Sequence, residues 1–440
     1  MTAAASPPTQ ASTPTATSSS VPARVGSQPP AVAPPTVEVV PARQPPTPSL
    51  LRVLMVVTVL SVLLFAGAAV GGLVTVRSST TEAAATADQI SRLQQIRIEL
   101  QRADARALEH VLAGQGEDDT PSYRESLATA RRLIIDAADA DPGERETLRS
   151  VNSALDDYTT LLERARLGGE SPDGLNALAN SSVILRTQVE EPLDMLVTGN
   201  EEQLQRQGVR IPAIVVTGTG ALALFCLLGT ATVVLVRFRR VVNPGLTAAV
   251  VLVGLAYGVS VGVMSTADNA TSVAARVDLP ILQATADAQR QAHRTRSAES
   301  QIVLTREADG AAAQRWTEAA DEVSSAVDRV PTRSRIHLIS STWNLYRVGH
   351  ETVAVAARNG RWDEARRLVT ATDPGSQGDL FATFDAEISQ EFSSNSEALS
   401  GSLLDARRFV TAAAIIALLA SGAAVAGTFL GLRARLREYA

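Results

Sequence analysis

Two apolar runs joined by a short arginine-rich link occupy the middle of the chain. The runs cover residues 211–236 and 245–265, and the link between them, 237–244, contains Arg237, Arg239 and Arg240. A helix that crosses a bilayer needs about 20 consecutive apolar residues. Arg residues beside such helices favour the cytoplasmic side. The pattern therefore predicts a pair of transmembrane helices whose connecting link lies in the cytoplasm.

Two further apolar runs, 50–76 and 409–432, are also long enough to cross a bilayer. Arg residues precede the first of these runs and follow the last, so the positive-inside rule places both termini in the cytoplasm. We therefore expect a multi-pass protein of the cell membrane with a short cytoplasmic tail at 433–440. Residues 77–210, the first block, and residues 266–408, the second block, are expected to be extracytoplasmic.

The composition favours helices over sheets. The chain is 45% hydrophobic but only 4% aromatic, and Ala and Leu lead the helix scale whereas strands favour aromatic and β-branched residues. Both blocks carry more acidic than basic residues, so a nucleic-acid interface is not expected. The one cysteine, Cys226, lies inside an apolar run, which argues against a disulfide framework. The predicted fold class is an all-α membrane protein with four transmembrane helices.

Residues 1–49 contain more than half of the 21 prolines, together with many Ser, Thr and Ala residues. Such a composition buries too little apolar surface to fold, so this segment is predicted to be a disordered cytoplasmic tail. A β-branched patch between prolines contains Val37 and Val39. Segments of this kind can add to a partner's sheet edge or groove, which makes both residues candidate partner contacts. A plain spacer before the membrane is the alternative interpretation.

Seams of apolar residues run through both blocks. Turn signals at 114–121, 141–143 and 168–174 divide the first block into four helix-length pieces. Its third piece repeats apolar residues at steps of three and four, as in a helical bundle: Leu148, Val151, Leu155, Tyr158, Leu162 and Ala165. The second block has a matching seam: Ile336, Ile339, Trp343, Tyr346, His350 and Val353. We predict two extracytoplasmic antiparallel four-helix bundles arranged as an internal repeat, with outer helices that continue into the membrane as rods.

Small residues in the apolar runs predict close helix packing within the membrane. Gly254, Gly258 and Gly262 recur every fourth residue and therefore share one face of the third membrane helix. A glycine face lets two helices approach closely. We expect this face to contact a neighbouring membrane helix.

The sequence contains no motif that indicates catalysis. The four His residues lack metal-ligand spacing, and no phosphate-binding loop or nucleophile elbow is present. We therefore expect a protein that is not an enzyme and binds neither a metal nor another cofactor. His350 has two interpretations: a polar, pH-sensitive residue of a ligand pocket, or a core histidine that is hydrogen-bonded to a neighbouring helix.

Candidate ligand-binding residues lie on the first helix of each block. They are Arg102 and Arg106 in the first block and Arg294 and Arg296 in the second. Arg can clamp a carboxylate with two parallel hydrogen bonds, so these side chains are candidates for holding a small anion. The alternative is that they are solvated or paired with acidic residues of the protein itself.

Two tryptophans of the second block, Trp316 and Trp362, are candidate partner contacts. Tryptophan is enriched among the residues that anchor protein interfaces. Partial burial inside the helical bundle is the alternative explanation for both.

Little of the chain is predicted to face the cytoplasm, so a separate protein must receive any signal that the helices transmit. A Pro-rich tail, four membrane helices and two helical blocks resemble the layout of the GlnX family, the membrane component of an actinobacterial amino-acid-sensing system. The resemblance implies an extracytoplasmic solute-binding lipoprotein of the glutamine-binding type that captures aspartate or glutamate. It also implies a cytoplasmic Ser/Thr protein kinase of the protein kinase G type.

The sequence leaves three functions open. The leading hypothesis is a non-enzymatic transmembrane signal transducer that relays amino-acid availability from the lipoprotein to the kinase. The alternatives are a receptor that binds a small anion directly, and an accessory or scaffold subunit of a transporter or envelope complex. The lipid bilayer is a partner in all three, and homo-oligomer formation stays open.

Overall fold

A computed structural model of the protein describes five stretches of the chain: residues 47–114, 122–206, 210–238, 243–331 and 334–437. All regular elements within these stretches are helical, which confirms the predicted all-α class. The candidate contacts Val37 and Val39 lie outside the described residues, as do Arg239 and Arg240 of the link.

The described helices of the first half follow one another with short connections. They are α1 (Thr47–Ala113), α2 (Ser122–Ala140), α3 (Arg145–Gly168), α4 (Pro172–Ile184), α5 (Glu191–Arg206) and α6 (Arg210–Phe238), with a π-helical turn at Leu185–Glu190 between α4 and α5. The predicted turn signals coincide with the ends of α1, α2 and α3. Gly114 and Gly169 follow two of these ends with φ values of 63° and 55°, a conformation that glycine adopts without strain.

The second half begins with another long rod. Its helices are α7 (Pro244–Val273), α8 (Leu279–Thr305), α9 (Ala311–Arg329), α10 (Ser334–Arg358), α11 (Trp362–Thr370) and α12 (Gln377–Arg437), with a second π-helical turn at Ala274–Asp278 between α7 and α8. Asn243 caps the start of α7 by accepting a hydrogen bond from the Gly245 backbone N–H. Pro244 occupies the first turn, where its missing N–H costs nothing.

Three helical rods extend from the apolar runs into the blocks. Helix α1 has 67 residues and α12 has 61, which corresponds to lengths of roughly 90–100 Å. Helices α7 and α8 join through the π-helical turn without a break. The prediction of continuous rods is confirmed for these helices, whereas the join of α5 to α6 includes residues outside the described stretches.

Four of the described helical segments are long and apolar enough to cross a membrane. Their inward faces form one apolar cluster to which α1, α6, α7 and α12 all contribute. Their outward faces leave large apolar side chains exposed, such as Phe225, Ile214 and Leu419. A continuous exposed apolar surface of this kind suits lipid rather than water.

The predicted glycine contact on α7 is wrong. A Cβ atom added at Gly254, Gly258 or Gly262 would meet no heavy atom within 4 Å. The buried side of α7 instead follows a stripe beside the glycines that includes Val253 and Ala256. The repeat of four residues placed the glycines on a common face, but heptad-spaced apolar residues determine which face packs.

The backbone of α7 approaches a neighbouring helix closely at the N-terminal end of α7. A Cβ atom at Gly245 would lie 2.6 Å from the backbone oxygen of Gly427 and 2.9 Å from the Cα atom of Gly431. Helices α7 and α12 therefore touch through their backbones at this point. Asn243 adds a hydrogen bond from Nδ2 to the carbonyl oxygen of Gly431, at 3.2 Å.

The two blocks share a single apolar core. It contains buried side chains from both, including Leu155 and Val189 of the first block and Ile339 and Phe384 of the second. All the residues of the two predicted seams on α3 and α10 are buried, so both seam predictions are confirmed. One core therefore joins the two blocks. The internal repeat itself stays a prediction.

Candidate ligand site

A buried polar layer lies where α1 packs against α8, between the apolar parts of the two blocks. Helix α8 contributes its buried polar side chains Gln289, Arg290, His293, Arg296, Ser297 and Glu299, and α1 contributes Gln94, Arg97, Glu99, Gln101 and Asp104. Buried polar groups are costly unless they find partners, so such a layer depends on hydrogen bonds between specific residues. Most of the predicted ligand-binding arginines belong to this layer or border it.

Arg102 lies where α1 contacts α12. Its guanidinium donates to Glu99, with 2.5 Å between Nη1 and Oε1, and to Asp385 on α12, with 3.2 Å between Nη2 and Oδ1. His293 on α8 also contacts Asp385, with 3.0 Å between Nε2 and Oδ1. Burial alone would raise the pKa of Asp385, but His293 and Arg102 outweigh it and hold this pKa below its usual range. One carboxylate thus joins α1, α8 and α12.

Arg102 of the first block contacts Asp385 of the second, and Arg294 of the second block contacts an acidic residue of the first. It donates from α8 to Glu190 in the first π-helical turn, with 2.7 Å between Nη2 and Oε2. Gln101 on α1 donates to the other carboxylate oxygen of Glu190. Arg102 and Arg294 therefore each pair with an acidic residue of the opposite block, and their charges are already compensated within the protein.

Arg296 is the most deeply buried of the predicted arginines, with a side chain only 5% exposed. It donates to Glu109 on α1 and to Glu299, with 2.8 Å between Nη1 and Oε2 of Glu299. Tyr346 donates to Glu299 at 3.1 Å, and His350 Nδ1 lies 2.7 Å from Oε1. Burial would raise the pKa of Glu299, but the contacts with His350 and Arg296 hold it below its ordinary value.

The structure places His350 and Trp316 in the core. Their rings stack with centroids 3.5 Å apart and planes inclined by 10°. His350 is thus a core histidine bonded to a neighbouring helix, as the second interpretation stated. Trp362 is partly buried and packs against the shared core. The role of the two tryptophans as partner contacts stays a prediction.

Arg106 lies apart from this layer. Its guanidinium donates to Ser126 on α2, with 3.2 Å between Nη1 and Oγ. Within the described residues, no group of three His, Cys, Asp or Glu side chains is placed to hold a metal ion.

A cavity of about 690 Å³ opens beside the polar layer, between α1, α4, α8 and α9. Its apolar wall includes Leu175 and Leu178 from α4 and Ala298 from α8. Its polar wall includes Arg294 and Asp104. A concave apolar site with a few converging polar groups is the usual form of a small-molecule site.

Asp104 is the unusual member of this cavity wall. Asp104 is only 6% exposed. Its carboxylate accepts hydrogen bonds from Tyr158 Oη at 3.1 Å and Ser297 Oγ at 3.0 Å. Both donors are neutral, and no ion pair involves Asp104 in the described part of the chain. Burial raises the pKa of Asp104, and the two hydrogen bonds only partly offset that increase.

The two seam tyrosines expose a difference between the blocks. Tyr346 donates to Glu299, which has Arg296 and His350 as cationic or ionisable partners. Tyr158 donates to Asp104, which forms no ion pair within the described stretches. The seam of the first block has Leu162 where the second has His350. The first block thus holds an uncompensated carboxylate beside an open cavity.

Three acidic residues of this region, Asp104, Glu190 and Asp385, are not apparent from the sequence. The one available signal was Tyr158, because a buried phenol requires a hydrogen-bond acceptor on a neighbouring helix. That signal indicates that an acceptor exists without identifying it.

A larger cavity, of about 990 Å³, lies where α1, α6 and α7 leave the apolar segments. Its wall combines small residues of α1, such as Gly71 and Gly72, with Asp268 and Arg276. It contains none of the predicted ligand-binding residues.

Comparison with known proteins supports an assignment for the first block only. No curated protein and no solved structure is similar enough to match the chain. Residues 79–208 match the family model of the actinobacterial sensor domain. This range extends from the outer part of α1 to the end of α5 and includes Asp104 and Glu190. The match supports a sensing and signalling role and identifies the chain as similar to sensor proteins from actinobacteria.

Proposed function

We propose that the protein is a non-enzymatic transmembrane signal transducer whose two blocks are extracytoplasmic and whose termini are cytoplasmic. The observation that carries this proposal is the continuity of α1, α7–α8 and α12, which extend from the apolar segments into the buried polar layer. Packed helices transmit displacements of about 1–2 Å along their length. A change in the polar layer therefore moves the membrane ends of the same helices.

The ion pair between Arg102 and Asp385 supports this route. It connects α1 to α12 within the polar layer. At the far end of the same two helices, Leu51 and Leu432 belong to one small apolar cluster together with Leu246 of α7. A rearrangement of the ion pair would change how these ends pack.

The proposed input is the availability of aspartate or glutamate outside the cell, delivered by a solute-binding lipoprotein. The resemblance to the GlnX family and the match to a sensor domain motivate this input. An exposed apolar stripe on α10 supports a protein partner, because Leu338, Leu345, Val348 and Val355 are between 43% and 69% exposed. Their spacing places them on one side of the helix, where a partner helix or loop could pack.

The proposed output is a cytoplasmic Ser/Thr kinase. The Pro-rich tail and the Arg-rich ends of the membrane helices supply the surface for that contact. A shift of the membrane helices would change this contact surface and so alter kinase activity. The membrane protein itself would catalyse no reaction.

A deletion strain tests this function. Phosphorylation of the kinase target is compared, with and without added aspartate or glutamate, in cells that lack the protein or carry it on a plasmid. We expect the amino-acid response to disappear in the deletion strain and to return with the wild-type protein. An unchanged response in the deletion strain would contradict the proposal.

Direct binding of a small ligand is the second candidate function. The cavity beside Asp104 favours it, since its volume is in the range of small-molecule sites. Arg294, one of the predicted anion-binding residues, belongs to the wall of this cavity.

A further inference from the structure

We propose that the cavity between α1, α4, α8 and α9 binds a small molecule through a protonated amine, with Asp104 as the partner of the ammonium group. Asp104 is buried, lies on the cavity wall and receives hydrogen bonds only from the neutral groups of Tyr158 and Ser297. A buried carboxylate is strongly stabilised by a cation within hydrogen-bond distance. In the described structure, the protein does not supply that cation to Asp104.

The charges around the cavity support an ammonium group over an anion. Arg294, which shares the cavity wall with Asp104, is already paired with Glu190. The charged residues of the wall are Asp104 on α1, Arg186 and Glu190 in the π-helical turn, Arg294 on α8, and Arg315, Glu318 and Glu322 on α9. Acidic groups outnumber basic ones, so an added cation improves the balance.

The second block shows what a compensated version looks like. There, Tyr346 and Glu299 are accompanied by Arg296 and His350, which fill the space beside the carboxylate. In the first block, Asp104 forms no ion pair among the described residues, and the cavity lies beside it. The ligand amine would supply the missing cation.

The rest of the ligand would lie against the apolar wall. Leu175, Leu178 and Val183 extend along α4, and Ala298 lies opposite them on α8. A short aliphatic chain attached to the amine fits this surface. Arg186 and Arg315 also belong to the wall and would accommodate a carboxylate of such a ligand.

Three probes with four-carbon chains separate the contribution of the amine from that of the carboxylate: n-butylamine, 4-aminobutyrate and butyrate. Their binding to the full-length protein in lipid nanodiscs is measured by isothermal titration calorimetry. We expect n-butylamine and 4-aminobutyrate to bind and butyrate to bind much more weakly. Equal or tighter binding of butyrate, or no heat from either amine at millimolar concentration, would overturn the assignment.

Asp104→Asn tests the named residue. It keeps the shape of the side chain and its acceptor oxygen, and we expect it to weaken amine binding about tenfold or more. Asp156→Asn, on the exposed face of α3, is the matched control and should leave affinity unchanged. Wild-type affinity in Asp104→Asn would refute the assignment.

Ser182→Trp provides a test that alters no charge. Ser182 on α4 lines the cavity, and an indole at this position fills the space that the ligand needs. We expect amine binding to be lost while the melting temperature stays close to that of the wild type. Unchanged binding in this variant would contradict the location, even if Asp104→Asn failed to fold.

Proton release provides an independent readout. Burial raises the pKa of Asp104, the hydrogen bonds from Ser297 and Tyr158 lower it, Glu190 raises it further, and Arg294 lowers it. A bound ammonium group lowers that pKa, so binding expels a proton from the fraction of molecules in which Asp104 is protonated. The difference in binding heat between two buffers of unlike ionisation heat should grow as the pH falls in the wild type and stay constant in Asp104→Asn. Amine binding does not depend on the kinase relay, so failure of one leaves the other intact.

Discussion

Arg102 on α1 and Asp385 on α12 form an ion pair, with 3.2 Å between Nη2 and Oδ1, that joins the two longest α-helices of the described stretches. His293 contacts the same carboxylate oxygen from α8. All three long rods therefore meet at one partly buried acidic side chain. This arrangement makes Asp385 the most direct point at which to uncouple the rods.

Asp385→Asn should destabilise the outer helical body. The substitution leaves Arg102 and His293 without their anionic partner, and loss of charged hydrogen bonds at a partly buried site costs on the order of 2 kcal/mol. Thermal unfolding of the full-length protein should show a clearly lower midpoint. Asp156→Asn removes the partner of Arg131 at an exposed site and should have little effect. Equal midpoints for the two variants would rule out a structural role for Asp385.

Asp104→Asn should increase the stability of the protein at neutral pH, whereas Asp385→Asn should decrease it. The pKa of Asp104 is raised on folding, so its charged form opposes folding, and the wild type loses stability as the pH rises through the folded-state pKa. The variant should be more stable at pH 8 by on the order of 1 kcal/mol. The difference should vanish below the unfolded-state pKa of about 3.8. A variant that is less stable than the wild type at pH 8 would contradict the absence of a compensating cation.

Lowering the pH should destabilise the buried polar layer, because Asp385 and Glu299 become protonated. Their pKa values are lowered on folding, so both groups contribute stability above their unfolded-state values of 3.8 and 4.5. That contribution disappears as the pH falls through the folded-state values. Melting curves between pH 2 and pH 5 should show a steeper acid loss in the wild type than in Asp385→Asn, because the contribution of Asp385 is lost only below its unfolded-state pKa. Parallel pH profiles would count against this assignment.

Gly245→Val should disturb the packing of α7 against α12. Its Cβ would lie 2.6 Å from the backbone oxygen of Gly427, which cannot move without shifting the helix. Overpacking of this kind costs about 1–3 kcal/mol. Gly258→Val is the matched control, because no heavy atom lies within 4 Å of its Cβ position. Unfolding in SDS titrations should separate the two variants, and similar behaviour would argue against backbone contact at Gly245.

The exposed stripe on α10 should mediate contact with an external protein partner. Leu345→Glu combined with Val348→Glu places two charges in its middle and should abolish crosslinking to that partner without lowering the melting temperature. Met195→Glu, at another exposed apolar position on α5, serves as the control. Wild-type crosslinking in the double variant would exclude the stripe as the contact surface.

Local patterns predicted much of the fold. The seams on α3 and α10 and the ends of α1, α2 and α3 follow from apolar spacing and turn residues. The partners of the arginines could not be predicted in this way, because Arg102 and Asp385 are separated by 283 positions. The glycine prediction for α7 failed because a repeat of small residues does not indicate which face of a helix meets a neighbour.

The coupling of the rods can be measured at their far ends. Leu51 on α1 and Leu432 on α12 belong to the same apolar cluster, so cysteines at these positions report on relative movement. The native Cys226 is replaced by alanine, and disulfide formation is followed in membranes from cells with and without external aspartate or glutamate. A transducer predicts a crosslinking rate that changes with the amino acid and becomes insensitive to it in Asp385→Asn. The same rate with and without the amino acid, while the kinase target still responds, would contradict transmission through these helices.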